Sequence, residues 1–382
     1  MRPDAVYLDH AASTPLRPGV GAAMLHAMEE RFGNPSSLHR WGRAGRAALE
    51  EARARFAAVI GAEASEIVFT RGGTEADNLA ITGRARVSPG APVACSAVEH
   101  KAVLATAGAL EAEGHVLHVL PVDSDGVVDP GALPDVLAAR PAVVSVMWAN
   151  NEVGVLQPVA AVGQACRDAG IAFHSDAVQV LGKVAVRVDQ VPVDLLSFSG
   201  HKFGGPRGVG ALYVRAGTAL APLVHGGGQE RGLRAGTEDV AGAVGIALAA
   251  ELAEADREAE AVRLGALRDR LERGLLERIP DLVVNCAGAA RLPGVSSVRI
   301  PGVEGDLLLA ALDVEGVGVS AGSACSSGAL GRSHVLRAMG VPADGGPAVR
   351  FSLGHTTTAG EIERVLEVFP ALVGRLRAMA AA

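Results

Sequence analysis

Aromatic residues make up only 3% of this 382-residue chain. Stacked rings therefore cannot dominate the interior, and small-residue packing and tight turns, with 48 glycines available, must shape it. Cysteine is scarcer still. The four thiols, Cys95, Cys166, Cys286 and Cys325, are too few and too scattered for a disulfide framework or a paired-cysteine metal site. Basic residues do not predominate either. A net charge of -7 with no basic block excludes a general nucleic-acid binder, which must displace counterions from phosphates. No apolar run reaches membrane-spanning length without charges, and the opening MRPDAVYLDHAAS lacks an apolar signal core. A cytoplasmic location is expected, with no membrane partner. What remains is ordinary globular composition, 49% hydrophobic and 20% charged, in a chain long enough for one large core and a second, smaller one.

From about residue 15 to 255, helical stretches alternate with short runs rich in Val and Ile. EIVFT, APVACSAV, HVLHVLPV, AVVSVMWA, IAFHSDAV and VDLLSFSG read as buried strands, with helices such as 44–60, 101–113 and 160–169 among them. That alternation predicts an α/β fold: a mostly parallel central sheet with helices on both faces. A charged helix over 240–278 then leads to a smaller α+β unit. The expected organisation is a large domain over 15–255, and a small domain combining 1–14 with 256–382.

Parallel sheets place ligands at the carboxyl ends of their strands. Polar or glycine-containing residues cluster there: Gly73-Thr74, His100, Asn151, Asp176, Gln179, Ser199 and His201-Lys202. Lys202 follows an apolar strand. A lysine stripped of part of its solvation can act as a nucleophile or base, for instance in a Schiff base with an aldehyde cofactor. Asp176 ends the strand one unit upstream, where a carboxylate could hold a protonated pyridine nitrogen or cap the next helix. Gly73-Thr74 offers helix-start N–H groups and a hydroxyl to a phosphate. His100 can stack on a flat ring or simply cap a helix.

The blocks YLDHAASTP, FGNPSSLH, FTRGGTEADNLAI, EHKAVL, NNEVGVLQP, HSDAVQVLGK, SFSGHKFGGPRGVGALYVR, HGGGQERGLRAGTEDVAG and VSAGSACSSG occur in this order. Together they resemble the cysteine desulfurases among the fold-type I, class-V aminotransferase pyridoxal-phosphate enzymes, in particular the branch serving nitrogenase and iron–sulfur assembly. The resemblance implies that Lys202 carries the cofactor and Asp176 pairs with its ring nitrogen. It puts Gln179 and Asn151 at the ring hydroxyl, and stacks His100 on the ring. Gly73, Thr74, Ser199 and His201 would hold the phosphate, with Thr237 added from a neighbouring subunit, so a homodimer is expected. Arg350, aided by Asn34, would grip the substrate carboxylate, a task suited to the guanidinium fork.

Cys325 decides the expected reaction. It lies in AGSACSSGALG, a small-residue stretch suited to a mobile loop, whereas Cys95, Cys166 and Cys286 sit in apolar or helical settings. L-cysteine would lose its α-proton to Lys202, with His100 relaying protons. The Cys325 thiolate would then take the substrate sulfur as a persulfide, leave L-alanine, and pass sulfur to an iron–sulfur scaffold or other acceptor. No metal is required. Rival readings are a selenocysteine lyase, a class-V aminotransferase, which needs no loop thiol, and a silent sulfur-transfer scaffold. A nicotinamide dehydrogenase is disfavoured because no GxGxxG follows the first strand. Arg71, Asp77 and Ser175 depart from the commonest family pattern and are expected to stand clear of the catalytic groups.

Overall fold

The computed structural model describes residues 5–321, 333–342 and 344–381. Strand β1 (Val6–Tyr7) and helices α1 (Val20–Glu30) and α2 (Arg40–Ile60) open the chain. The alternation follows: β2 (Ile67–Thr70), α3 (Gly73–Arg86), β3 (Val93–Ser96), α4 (Lys101–Ala112), β4 (Leu117–Leu120), α5 (Leu133–Ala138), β5 (Val143–Ser145), α6 (Val159–Asp168), β6 (Ala172–Asp176), β7 (Leu195–Ser199) and β8 (Gly210–Val214). After α7 (Val240–Arg278) come β9 (Val283–Val284), β10 (Val295–Arg299), α8 (Gly305–Val314), β11 (Val317–Gly318), β12 (Ser320–Ala321), α9 (His334–Ala338), β13 (Ala348–Ser352) and α10 (Ala359–Ala381).

The large sheet has seven strands in the order β2-β8-β7-β6-β5-β3-β4. Strands β4, β3, β5, β6 and β7 pair in parallel, while β8 runs antiparallel between β7 and β2. The mostly parallel sheet is as expected; β8 is an addition. The short glycine-rich link from Ser199 to Gly210 cannot make the long crossover that a parallel neighbour needs, so the chain turns straight back. Along the central strands, neighbouring residues enter different cores. Ala94 and Val144 join the core that holds Val159, Val162 and Cys166 of α6. Val93, Cys95 and Val143 pack with Val103, Ala107 and Leu110 of α4. Period-2 side chains buried on both sides mean that both sheet faces are covered.

A second core gathers Val298, Val349, Phe351, Leu308, Leu312, Ile362 and Phe369 around the antiparallel sheet β12-β13-β10-β9. Helix α7 serves both cores, with Ala243, Ile246, Ala247 and Ala250 in the first and Leu264, Leu271 and Leu275 in the second. The N-terminal strip joins the second: β1 pairs with β11, and Asp9 bridges to Ser352 of β13. That strip passes the carboxyl edge of the large sheet, which is where the site lies.

Candidate active site

A cavity of about 340 Å³ opens at that edge, lined among others by Gly73, Thr74, His100, Asp176, Lys202 and Arg350. Its walls come from the ends of β2, β3, β5, β6 and β7, so the polar strand ends converge as a parallel sheet requires. At one end, the first two residues of α3, Gly73 and Thr74, line the cavity. Gly72 has φ 133°, a conformation favouring glycine, and a Cβ on Gly73 would come within 2.6 Å of Val178 Cγ2. Only bare backbone fits there, which leaves amide donors and the Thr74 hydroxyl for an anion. Ser199 and His201 line the same cavity. Burial, aided by the charges of Lys202, Arg207 and Lys183, lowers the His201 pKa to about 4, so at neutral pH its ring offers a hydrogen bond and no charge.

The other end is acidic. Asp176 terminates β6, 5% exposed, and its Oδ1 accepts from the Val178 N–H at 2.9 Å. Burial raises its pKa, opposed by the nearby His100, that hydrogen bond and Lys202. Asp77, His100 and Asp176 place ligand atoms within 4.8 Å of one another. Asp77 therefore does not stand clear of the catalytic candidates as expected. It lies one helical turn after Gly73 and Thr74, and so on the same face of α3. Among the described residues its Oδ1 has no hydrogen-bond partner, and burial, then the Asp176 charge, push its pKa well up. Ser175, beside Asp176, is likewise buried with an unpartnered Oγ. Arg71 points elsewhere, 3.5 Å from Asp239 at an exposed position.

Behind this pair, His174 bridges Ser145 Oγ at 2.8 Å and Ser197 Oγ at 2.9 Å. Burial holds its pKa near 3, so it stays neutral. Glu99 accepts from Ser96 Oγ at 2.7 Å and Met147 N at 2.6 Å, and burial raises its pKa to about 8. His100 caps α4, its Nδ1 accepting from Ala102 N at 3.1 Å. Capping and a cavity role are thus compatible, since Nδ1 as acceptor leaves Nε2 to carry the proton.

Between the two ends, Lys202 Nζ donates to Ala11 O at 2.7 Å and Ala12 O at 3.0 Å. Gln179 Nε2 donates to the same Ala11 O at 2.9 Å. Arg350, 2% exposed in β13, donates from Nη1 to Asn151 O at 2.7 Å and from Nη2 to Asp9 Oδ1 at 2.7 Å. An anion cradle, a lysine and a buried carboxylate in one cavity fit pyridoxal phosphate: a protonated ring nitrogen would be a direct cationic partner for the buried Asp176.

A family model described as aminotransferase class-V matches residues 6–365. The chain belongs to the class-V aminotransferase family. It is 50% identical to a cysteine desulfurase of Cereibacter sphaeroides, covering 98% of this chain and 97% of that one. It is 47% identical to cysteine desulfurase IscS of Dictyoglomus turgidum, over 97% and 95% of the two chains. Among solved structures, a NifS-like protein superposes with a TM-score of 0.90 at 36% identity, covering 97% of this chain and 100% of that one. These likenesses carry the fold-type I architecture to this chain.

Not every family-matched residue reaches the cavity within one chain. Asn34 sits on the exposed turn before α2, where its Oδ1 accepts from Ser36 N at 2.9 Å. Its amide oxygen is engaged by that turn, and Asn34 is not among the residues lining the cavity. Thr237 is exposed and outside the cavity lining. Cys325 lies outside the described residues. The other cysteines are buried, and desolvation raises each thiol to about 12, which suits packing and not nucleophilic attack. Sequence reasoning marked Glu99 beside His100 at a strand end but passed over Asp9, Lys183 and His334, which all stand in or beside the site. Asp9 and Lys183 sit inside quoted blocks, YLDH and VLGK, but nothing local reveals partners so remote in sequence. Among the described residues, no helix is long and apolar enough to cross a membrane.

Proposed function

We propose that this chain is a pyridoxal-phosphate-dependent cysteine desulfurase that converts L-cysteine to L-alanine and carries the sulfur as a persulfide on Cys325. The observation that supports it best is where the described residues on either side of the Cys325 segment are anchored. Ser320 of β12 pairs directly with Arg350. Past the undescribed segment, Ser333 Oγ donates to Glu152 Oε2 at 2.5 Å, and His334 Nε2 contacts Glu99 O at 2.9 Å. Cys325 follows Ala321 by four residues, a reach of at most about 14 Å. Both flanks of its segment are therefore fixed to the cavity wall.

Gly73, Thr74, Ser199 and His201 would hold the cofactor phosphate, Asp176 its ring nitrogen, Gln179 and Asn151 its ring hydroxyl, and Lys202 its aldehyde. Pyridoxal phosphate supplies the electron sink that lets a Cα–H bond break. Arg350 orients the substrate carboxylate. Lys202 takes the α-proton, and Nε2 of His100 exchanges protons with the cavity. Cys325 Sγ bonds to the substrate sulfur as the C–S bond breaks, the electron pair left on the β-carbon takes up a proton, and a proton returned to the α-carbon completes alanine. The persulfide then passes to an acceptor protein serving iron–sulfur cluster or other sulfur-containing cofactor synthesis. A homodimer with Thr237 serving the partner's phosphate site, a large domain over 15–255, a small one over the remainder and a cytoplasmic location complete the reading. Mass analysis of the loaded enzyme after L-cysteine without reductant tests it. One added sulfur atom is expected on the Cys325 peptide; sulfur on none of the cysteines, or on another one, contradicts it.

A further inference from the structure

Lys183 has no part in the chemistry above, yet it stands directly behind it. Its Nζ donates to Gln179 Oε1 at 3.2 Å, while Gln179 Nε2 donates to Ala11 O, the carbonyl that also receives Lys202 Nζ. A chain of polar contacts thus runs Lys183, Gln179, Ala11, Lys202. Lys183 and Lys202 also share the wall of a smaller adjoining cavity of about 40 Å³.

An amide side chain can be turned either way, and its neighbours decide which end is oxygen. An ammonium only donates, so it demands Oε1. The Ala11 carbonyl only accepts, so it demands Nε2. Both constraints agree, and they leave the second N–H of Gln179 for the cavity. Whatever occupies that position meets a donor, the right partner for an ionised ring hydroxyl. Charge is the second link. Burial, then the charges of Lys202 and Arg350, bring the Lys183 pKa down to about 7. The other charged or titratable groups on the smaller cavity are His10, Arg17, Glu260 and His355. Arg17 is paired with Asp256 at 2.6 Å, and burial lowers both histidines.

We propose that Lys183 is a positioning residue for the cofactor site: it fixes the Gln179 amide with its N–H toward the cavity, and its charge opposes a positive charge on Lys202. The inference rests on the assignment of Lys202 as the cofactor lysine. It deepens that assignment by naming the group that sets the Schiff-base proton's affinity.

The test is a pH titration of the visible absorption band of the pyridoxal-phosphate-loaded enzyme, for wild type, Lys183→Met and Lys183→Arg. Loss of the cation in Lys183→Met should raise the band's midpoint by about half a pH unit or more, roughly threefold in proton affinity. Lys183→Arg keeps a donor and a cation above the pH at which Lys183 loses its proton. Its midpoint should fall below that of wild type. Because the two variants are predicted to move oppositely, either one that folds suffices. A midpoint not raised in Lys183→Met, or not lowered in Lys183→Arg, overturns the proposal. A wild-type enzyme with no visible band abolished by Lys202→Ala would instead sink the cofactor assignment itself, and the inference with it.

Discussion

Asp9 Oδ1 receives Nη2 of Arg350 at 2.7 Å across 341 residues of sequence, and the carbonyl of Asn151 holds Nη1 at the same distance. The substrate-binding candidate is therefore oriented before any substrate arrives. The N-terminal strip supplies one contact, the large-sheet edge the other, and β13 the arginine itself. Among the described residues, buried Arg350 Nε has no hydrogen-bond partner, so one more acceptor can be satisfied there.

Arg350→Lys should lower kcat/KM for L-cysteine by roughly 30-fold or more, because a point charge replaces a fork aimed at a carboxylate. Asp9→Asn keeps an acceptor oxygen but removes its charge. It should raise KM by about tenfold, near 1.4 kcal/mol, with kcat little changed. Steady-state kinetics on both variants check this. A fall in kcat with KM constant in Asp9→Asn would place Asp9 in the chemistry and not in binding.

Glu99 makes a prediction about stability. Its folded pKa is about 8 against an ordinary 4.5, so the folded protein keeps a proton that the unfolded chain gives up across that window. The unfolded state then binds fewer protons, and Glu99 makes stability fall as pH rises from about 4.5 to 8. Glu99→Gln retains an acceptor for Ser96 and Met147 without the ionisable group. Its unfolding free energy should match wild type near pH 5 and exceed it at pH 8, by an amount on the order of a few kcal/mol, with the melting temperature raised only at pH 8. Equal melting curves at both pH values would show that Glu99 ionises without penalty.

Thiol labelling separates the cysteines. Cys95, Cys166 and Cys286 are buried with raised pKa values. One fast-reacting thiol per native chain is expected at pH 8, and none in Cys325→Ser. Rapid labelling that persists in that variant would contradict the assignment of Cys325 as the reactive thiol.

The catalytic edge was legible because buried strands need apolar runs, and their polar ends stand out against them. Asp176, Ser199 and Lys202 could be read in that way, and Gly73-Thr74 from the glycine that opens a helix. Strand β8 escaped because a five-residue apolar run after a glycine-rich turn carries no sign of its direction. Asp77 was misjudged, although its spacing from Gly73 puts it on the cavity face of α3. The Asp9–Arg350 and Lys183–Gln179–Ala11–Lys202 contacts were not legible at all. They depend on how the N-terminal strip crosses the sheet edge, which no local pattern encodes. Asn34 shows the converse: a matched motif position whose side chain, within one chain, satisfies its own turn.

The most direct test of the central claim compares products from wild type and Cys325→Ala. Pyridoxal-phosphate-loaded protein is incubated with L-cysteine and a reductant, and sulfide and alanine are quantified. Equal sulfide and alanine from wild type, both lost in Cys325→Ala while the visible cofactor band persists, is the predicted result. A coloured wild-type protein that makes no sulfide, or a variant as active as wild type, would contradict it.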